Sequence, residues 1–355
     1  MRQAVDREVK AAREGVGILD YSTLGKIDIS GADAAEFLNR VYTNGWKKLG
    51  VGRCRYGIML GDDGMVMDDG VTTRLGEKHF LMTTTTGNAG SVLSWLEEWL
   101  QTEWPSLEVF CTSVTEQFAT ISICGPKARQ LLAELAPDMM LDPQSFRHMS
   151  MQGGMVAGIS ARVLRVSFTG EVGFEINVPS RYGRALWDAL MMAGKPHDIT
   201  PYGTEAMHVL RAEKGFFIAG QESDGTVTPI DLGMDWIVNW TKGDFIGRRS
   251  LSRSDTARSD RKQLVGLFTS DPKIVLDEGA QIVAIVKNKP PMEMIGHVTS
   301  SYYSPNLGRS IGLAMIHGGR DRKGETLHVP MPDETIEVTV TEPVFFDPGG
   351  ERLNG

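Results

Sequence analysis

The chain has 355 residues, of which 23% are charged and 41% hydrophobic, and its formal charge is -8. That composition belongs to a globular chain long enough for two or three packed units and sets disorder aside. It argues against a general nucleic-acid binder, because an acidic chain needs a local basic pocket to hold an anion.

Cys54, Cys111 and Cys124 are scattered and odd in number. They make neither a disulfide framework nor a metal cluster, which fits a reducing cytoplasm. The histidines show no HxxxH or His/Cys spacing, so no protein-bound metal is expected. No apolar run approaches membrane-spanning length, and a cytoplasmic chain without membrane contact is expected. The 18 methionines are read as an adaptable core.

In chain order, the charged amphipathic N-terminal stretch through Arg13 predicts a helix and no signal peptide. Leu24-Gly-Lys-Ile-Asp-Ile-Ser-Gly31 alternates like a strand, and 32–40 reads as a helix with Ala35 and Leu38 inward. The stretch from Arg55 to Gly70 then holds two short apolar runs around Gly61-Asp-Asp-Gly64, which suits a tight hairpin turn. A two-residue loop at Asp62-Asp63 pairs Leu60 with Met65, Ile58 with Met67 and Tyr56 with Asp69. One face is then apolar except for a phenol beside a carboxylate, a combination suited to handling a cation or a proton. The alternative is a strand that simply ends in water at Asp69, and a three-residue loop would bring Asp68 round instead.

A third strand, Lys78–Met82, runs into Thr83-Thr-Thr-Thr-Gly-Asn88, read as β-structure or as hydroxyls lining a polar pocket. Helices are predicted over Ala89–Thr102 and Lys127–Leu135, with the strand Phe118–Cys124 between them. Arg162 to Pro179 is again hairpin-like, turning at Thr169-Gly-Glu-Val-Gly173. Its alternation puts Phe174, Ile176 and Val178 on one face and Glu175 and Asn177 on the other. The polar face is either solvated or offers a carboxylate to a planar heterocycle with paired N–H donors. Gly15-Val-Gly17 and Gly50-Val-Gly52 lack the rest of a dinucleotide fingerprint, so no flavin or nicotinamide site is expected. The polar run Asp255–Lys262 marks a linker, and short strands with Gly/Pro turns follow it. The expectation is an α+β fold with one region over 1–256 and a small β-rich domain over 257–355.

Several motifs agree in order along nearly the whole chain. Tyr56…Met67-Asp-Asp69, Thr169-Gly-Glu-Val-Gly-Phe-Glu175, Leu210-Arg-Ala-Glu213 with Gly220-Gln-Glu222, Asp244-Phe-Ile-Gly-Arg248 and Thr299–Gly308 resemble those of the tetrahydrofolate-dependent aminomethyltransferases, the glycine-cleavage T-protein family. Within that family, Tyr42-Thr-Asn44, Pro201–Glu205 and Asp224–Pro229 are most similar to the C-terminal folate domain of heterotetrameric sarcosine oxidase α subunits. That subunit carries a dinucleotide-binding half upstream, so the chain is expected to be an excised or separately encoded folate domain.

The resemblance implies a three-part ring around a central folate cavity, closed by a C-terminal barrel. It implies Asp69 as the acid/base carboxylate, and Tyr56, Thr85, Phe168, Glu175 and Arg211 as folate-binding residues, with Arg211 more a partner for carboxylates than a direct ligand. Phe168 stands where T-proteins have tyrosine, so that hydroxyl is lost. The implied reaction captures an iminium carbon from oxidised sarcosine or a related N-methyl amine on tetrahydrofolate, giving 5,10-methylenetetrahydrofolate, with the oxidation left to flavoprotein partner subunits. A folate-dependent O- or S-demethylase and a non-catalytic folate-binding scaffold are the alternatives. An iron–sulfur-maturation relative would need a cysteine where this chain has Phe216.

Overall fold

The computed structural model describes residues 2–354. In chain order the elements of the first two units are α1 (Arg2–Glu14), β1 (Val16–Asp20), β2 (Gly25–Ser30), α2 (Ala34–Val41), β3 (Cys54–Leu60), β4 (Val66–Gly76), β5 (His79–Thr84), α3 (Ala89–Thr102), β6 (Phe110–Ser113), β7 (Phe118–Cys124), α4 (Ala128–Leu135), β8 (Ser150–Val156), β9 (Ile159–Arg165), β10 (Gly173–Pro179), α5 (Gly183–Ala193), β11 (Ile199–Pro201) and α6 (Thr204–Glu213). The last unit comprises β12 (Lys262–Thr269), β13 (Gln281–Val283), β14 (Met294–Ser304), β15 (Arg309–His317), β16 (Thr326–Pro330) and β17 (Thr335–Thr341).

The first sheet has the order β3-β4-β5-β2-β6. Strand alternation sends Ile27, Ile29, Met59, Phe80 and Met82 to one face, where α2 and α3 cover them with Phe37, Leu38, Val41, Val92 and Leu96. The second sheet has the order β11-β1-β7-β10-β9-β8. Its Ile121, Ile123, Phe174 and Ile176 meet Leu131 and Leu132 of α4 and Leu186 and Leu190 of α5. The N-terminal helix lays Val9 and Ala12 against Ala206, Val209 and Leu210 of α6, as its amphipathic pattern requires.

The six strands β12-β15-β14-β13-β16-β17 close into a barrel. On β15, Ala314 and Ile316 fill the barrel interior, while Ile311, Leu313 and Met315 point outward. The outward set shares a core with Ile58, Leu60 and Val66 of the β3–β4 hairpin. Residues 214–261, which carry little regular structure, add Phe217, Leu232, Phe245 and Leu251 to that shared core. The barrel and the 214–261 segment therefore meet at the hairpin.

The hairpin departs from its expected register. The Gly61 amide donates to the Met65 carbonyl at 2.9 Å and the Gly64 amide to the Gly61 carbonyl at 3.0 Å. Asp62, Asp63 and Gly64 thus form a three-residue loop, with Gly64 at φ +88, where an L side chain is strained. A bulge follows: Leu60 pairs with Val66 but Met59 with Asp68, so Met67 has no partner. Ile58 then faces Asp69 and Tyr56 faces Val71, instead of the expected Met67 and Asp69. Met67 packs with the helix-covered core, not beside Ile58. Loop and bulge each slip the register by one residue, and two slips restore the original parity. Tyr56 and Asp69 consequently still share one face.

Candidate functional site

Because Asp69 sits opposite Ile58, two positions from Tyr56, the phenol reaches it diagonally and donates to Oδ2 at 2.7 Å. Burial raises the Asp69 carboxyl to about 7, the Tyr56 hydrogen bond opposes the rise, and the neighbouring Asp68 charge adds to it. Burial, then the Asp69 charge, holds the Tyr56 phenol well above its ordinary range, so it remains a donor.

The bulge sends Asp68 to the opposite, helix-covered side. There its carboxylate accepts from the Thr85 hydroxyl at 2.8 Å, the Thr85 amide at 3.2 Å and Asn88 Nδ2 at 3.3 Å. Burial raises its pKa and these bonds oppose the rise. The threonine run therefore splits: Thr83 and Thr84 end β5, and the Thr85 hydroxyl is committed to Asp68. The consecutive aspartates do different work, one anchoring the start of α3 and the other facing the interior.

Glu175 lies on the second sheet between Ser122 of β7 and Leu164 of β9. Phe174, Ile176 and Val178 are fully buried in the opposite face, as the alternation predicts. The Glu175 carboxylate makes no hydrogen bond among the described residues, although burial pushes it up to about 7. Buried Lys26, whose Nζ donates to the carbonyls of Ser22 and Leu24 at 3.0 Å, pulls the other way. An inward carboxylate without a protein donor is an open acceptor pair.

The sheet faces that bear the two carboxylates pack against each other. Leu164, the cross-strand neighbour of Glu175, packs with Cys54 and Val71, and Val71 lies two residues from Asp69 on the same face. Phe168 stacks on Phe216 at 6.1 Å between centroids and 22° between planes. The position that would bear a cysteine in an iron–sulfur-maturation relative thus serves as an aromatic support.

Arg211 is fully buried. It donates to Glu222 Oε2 at 2.9 Å, the Phe216 carbonyl at 3.0 Å and Ser300 Oγ at 2.6 Å. That enclosure ties α6 to β14 and leaves the guanidinium behind the Phe216 backbone. Sequence reasoning passed over Lys26, although it was the basic residue within an alternating strand. It also passed over Asn88, although that residue closes the threonine run it singled out.

Residues 1–242 match the GCVT N-terminal domain, and residues 262–347 match the glycine cleavage T-protein C-terminal barrel domain. The sarcosine oxidase subunit alpha of Corynebacterium sp. (strain P-1) is 55% identical over 358 residues, covering 100% of this chain and 37% of that protein. The subunit of the same name from Rhizobium meliloti (strain 1021) is 44% identical, covering 99% of this chain and 36% of that protein. The chain thus spans little more than a third of those relatives. An aminomethyltransferase of Thermotoga petrophila is 30% identical over 344 residues, covering 97% of this chain and 90% of the relative. The crystal structure of glycine cleavage system aminomethyltransferase T from Bartonella henselae superimposes with a TM-score of 0.84 at 24% identity, covering 97% of this chain and 90% of that one. Matched by both domain models, similar almost end to end to an aminomethyltransferase and sharing its three-unit fold, this chain belongs to the glycine cleavage T-protein family.

Proposed function

We propose that the chain binds tetrahydrofolate and captures on it a one-carbon iminium from oxidised sarcosine or a related N-methyl amine, giving 5,10-methylenetetrahydrofolate within a sarcosine oxidase-type assembly. The observation that supports this reading is the Tyr56–Asp69 hydrogen bond, on a sheet face that packs against the face bearing the unpartnered carboxylate of Glu175. The donor set fits the group. A pterin edge presents paired N–H donors, for which the open oxygens of Glu175 are the matching acceptors. Accepting two such bonds also returns Glu175 to its ionised form, because hydrogen bonds to a carboxylate favour its charge. Phe168, braced by Phe216, offers an aromatic face beside the ring.

Tetrahydrofolate, when bound, supplies the nucleophilic nitrogens that take up the one-carbon unit. Asp69, poised near neutrality, attracts the cationic carbon donor in its charged form and accepts the proton released on ring closure. Tyr56 fixes the orientation of that carboxylate. Thr85 acts through Asp68, holding the base of the hairpin in place. Arg211 supports the Phe216 segment from behind. The enclosed site limits hydrolysis of the iminium to formaldehyde. Oxidation of the amine belongs to flavoprotein subunits of the assembly.

Calorimetric titration with tetrahydrofolate tests binding. We expect Glu175→Ala to weaken it about 10–100-fold, the worth of a charge-assisted pair. Supplied with sarcosine-derived iminium, the wild type yields methylenetetrahydrofolate, and Asp69→Asn, though folded, loses this activity. Methyltetrahydrofolate as the product would favour an O- or S-demethylase, and absence of binding by a folded wild type would favour a scaffold.

A further inference from the structure

A second concavity lies on the other side of β9. Arg165 follows Leu164 in the strand, so alternation turns it away from the Glu175 face. It lines a cavity of about 360 Å³ together with Arg53, Gln144, Arg147, His148 and Asn354. Parts distant in sequence converge there: the approach to β3, the connection between α4 and β8, and the C-terminal segment.

Among the described residues, the arginines around this cavity form no ion pair. Arg13 and Arg211, both deeply buried, each hold a carboxylate at 2.8–2.9 Å. Arg165 is just as deeply buried, yet its terminal nitrogens reach only the carbonyls of Phe146 at 2.8 Å, Leu353 at 3.0 Å and Asn354 at 2.9 Å. Its Nε is buried without a hydrogen-bond partner. Among the described residues, no carboxylate lies in ion-pair distance of Arg53, Arg129, Arg147 or Arg165. Arg129 stands behind the cavity with its guanidinium on the carbonyls of Leu141 and Asn354. The accumulated positive field is felt by His148, whose pKa falls to about 4 through burial and then through Arg165 and Arg53. In a chain of net charge -8 such a cluster is out of keeping with the surface as a whole.

We infer that this cavity binds a multiply charged oxyanion, a carboxylate or a phosphate, between the guanidinium groups of Arg53, Arg147 and Arg165. Planar guanidinium forks match carboxylate and phosphate oxygens in bidentate fashion. An anion there neutralises the cluster and bridges the converging segments, so its binding energy adds to the stability of the fold. The site lies on the face of β9 opposite Glu175, and its test does not depend on the folate reading.

The test is calorimetric titration of the full chain with inorganic pyrophosphate and, separately, with citrate, at matched ionic strength. We expect at least one to bind with a Kd of about 0.1 mM or below, and the tighter of the two identifies phosphate or carboxylate as the class. Arg147 is exposed, so Arg147→Gln leaves the fold intact and weakens binding by about tenfold or more. Arg53→Gln serves as the second variant and has the same expected effect. Failure of both anions to bind the wild type overturns the inference, as does equal binding to wild type and both variants.

Discussion

At the scale of single residues, the proposed chemistry turns on a buried carboxyl, Asp69, whose pKa is raised to about 7. Tyr56 contributes one hydrogen bond to the charged form of Asp69, and so lowers a pKa that burial has raised to about 7. Tyr56→Phe removes that bond. The acidic limb of the pH–rate profile for methylene transfer should then move upward by about one unit, roughly the worth of one hydrogen bond. An unchanged limb would assign Tyr56 to shape alone. Asp69 also carries a stability cost. Its folded pKa lies above the ordinary value of about 3.9, so the unliganded fold loses stability as pH rises from about 4 through about 7. At pH 8, Asp69→Asn should therefore stabilise the unliganded chain by about 2 kcal/mol, measured by urea unfolding, even as it abolishes transfer. The sharing of one face by phenol and carboxylate was legible in the hairpin sequence, since Tyr56 alternates with Ile58 and Leu60 on one strand and Asp69 with Met65 and Met67 on the other. The register was not, because a bulge depends on which side chains the two flanking cores accept.

At the scale of elements, Arg211 couples α6 to β14 through Ser300 and to the 214–222 segment through Glu222. Arg211→Met should destabilise the chain by about 3–5 kcal/mol by leaving Glu222 buried without its partner. Arg211→Lys should recover only part of that loss, since an ammonium cannot span Glu222, Ser300 and the Phe216 carbonyl at once. Thermal unfolding of both variants decides between this support role and direct ligation, which would impair folate binding with little loss of stability. The β9–β10 hairpin was the element best read from sequence, because its alternation of Phe174, Ile176 and Val178 against Glu175 and Asn177 survives intact. The threonine run was ambiguous for a physical reason: a strand end and a hydrogen-bonding loop both favour threonine, and only the position of Asp68 separates them.

At the scale of the whole molecule, one buried cluster joins both ends of the chain. Arg13 of α1 donates to Glu171 Oε1 at 2.8 Å, to the Thr169 carbonyl at 2.7 Å and to Glu213 Oε2 at 2.8 Å. Arg352 donates to the same Glu171 oxygen at 2.6 Å, and Glu213 Oε1 accepts from Ser304 at 2.6 Å and Asn306 at 2.9 Å. The first glutamate of the Thr169-Gly-Glu-Val-Gly-Phe-Glu175 motif is thus structural, whereas the carboxylate of the second has no hydrogen-bond partner among the described residues. Arg13→Leu removes one cationic partner from each of two buried carboxylates and should lower the melting temperature by about 5–10 °C. A shift within about 1 °C would mean that the cluster adds nothing beyond packing.

The sequence by itself determined the α+β class, the C-terminal barrel, the inward face of β10 and the family, since these rest on local alternation, turn chemistry and ordered motifs. Tertiary structure alone decided that Asp68 is an anchor while Asp69 accepts from Tyr56, that Lys26 stands within reach of the Glu175 charge, and that arginines distant in sequence gather with no ion-paired carboxylate among the described residues. The division has one cause: alternation within a strand is a property of neighbours along the chain. Burial, charge compensation and register depend instead on which distant surfaces the fold brings into contact.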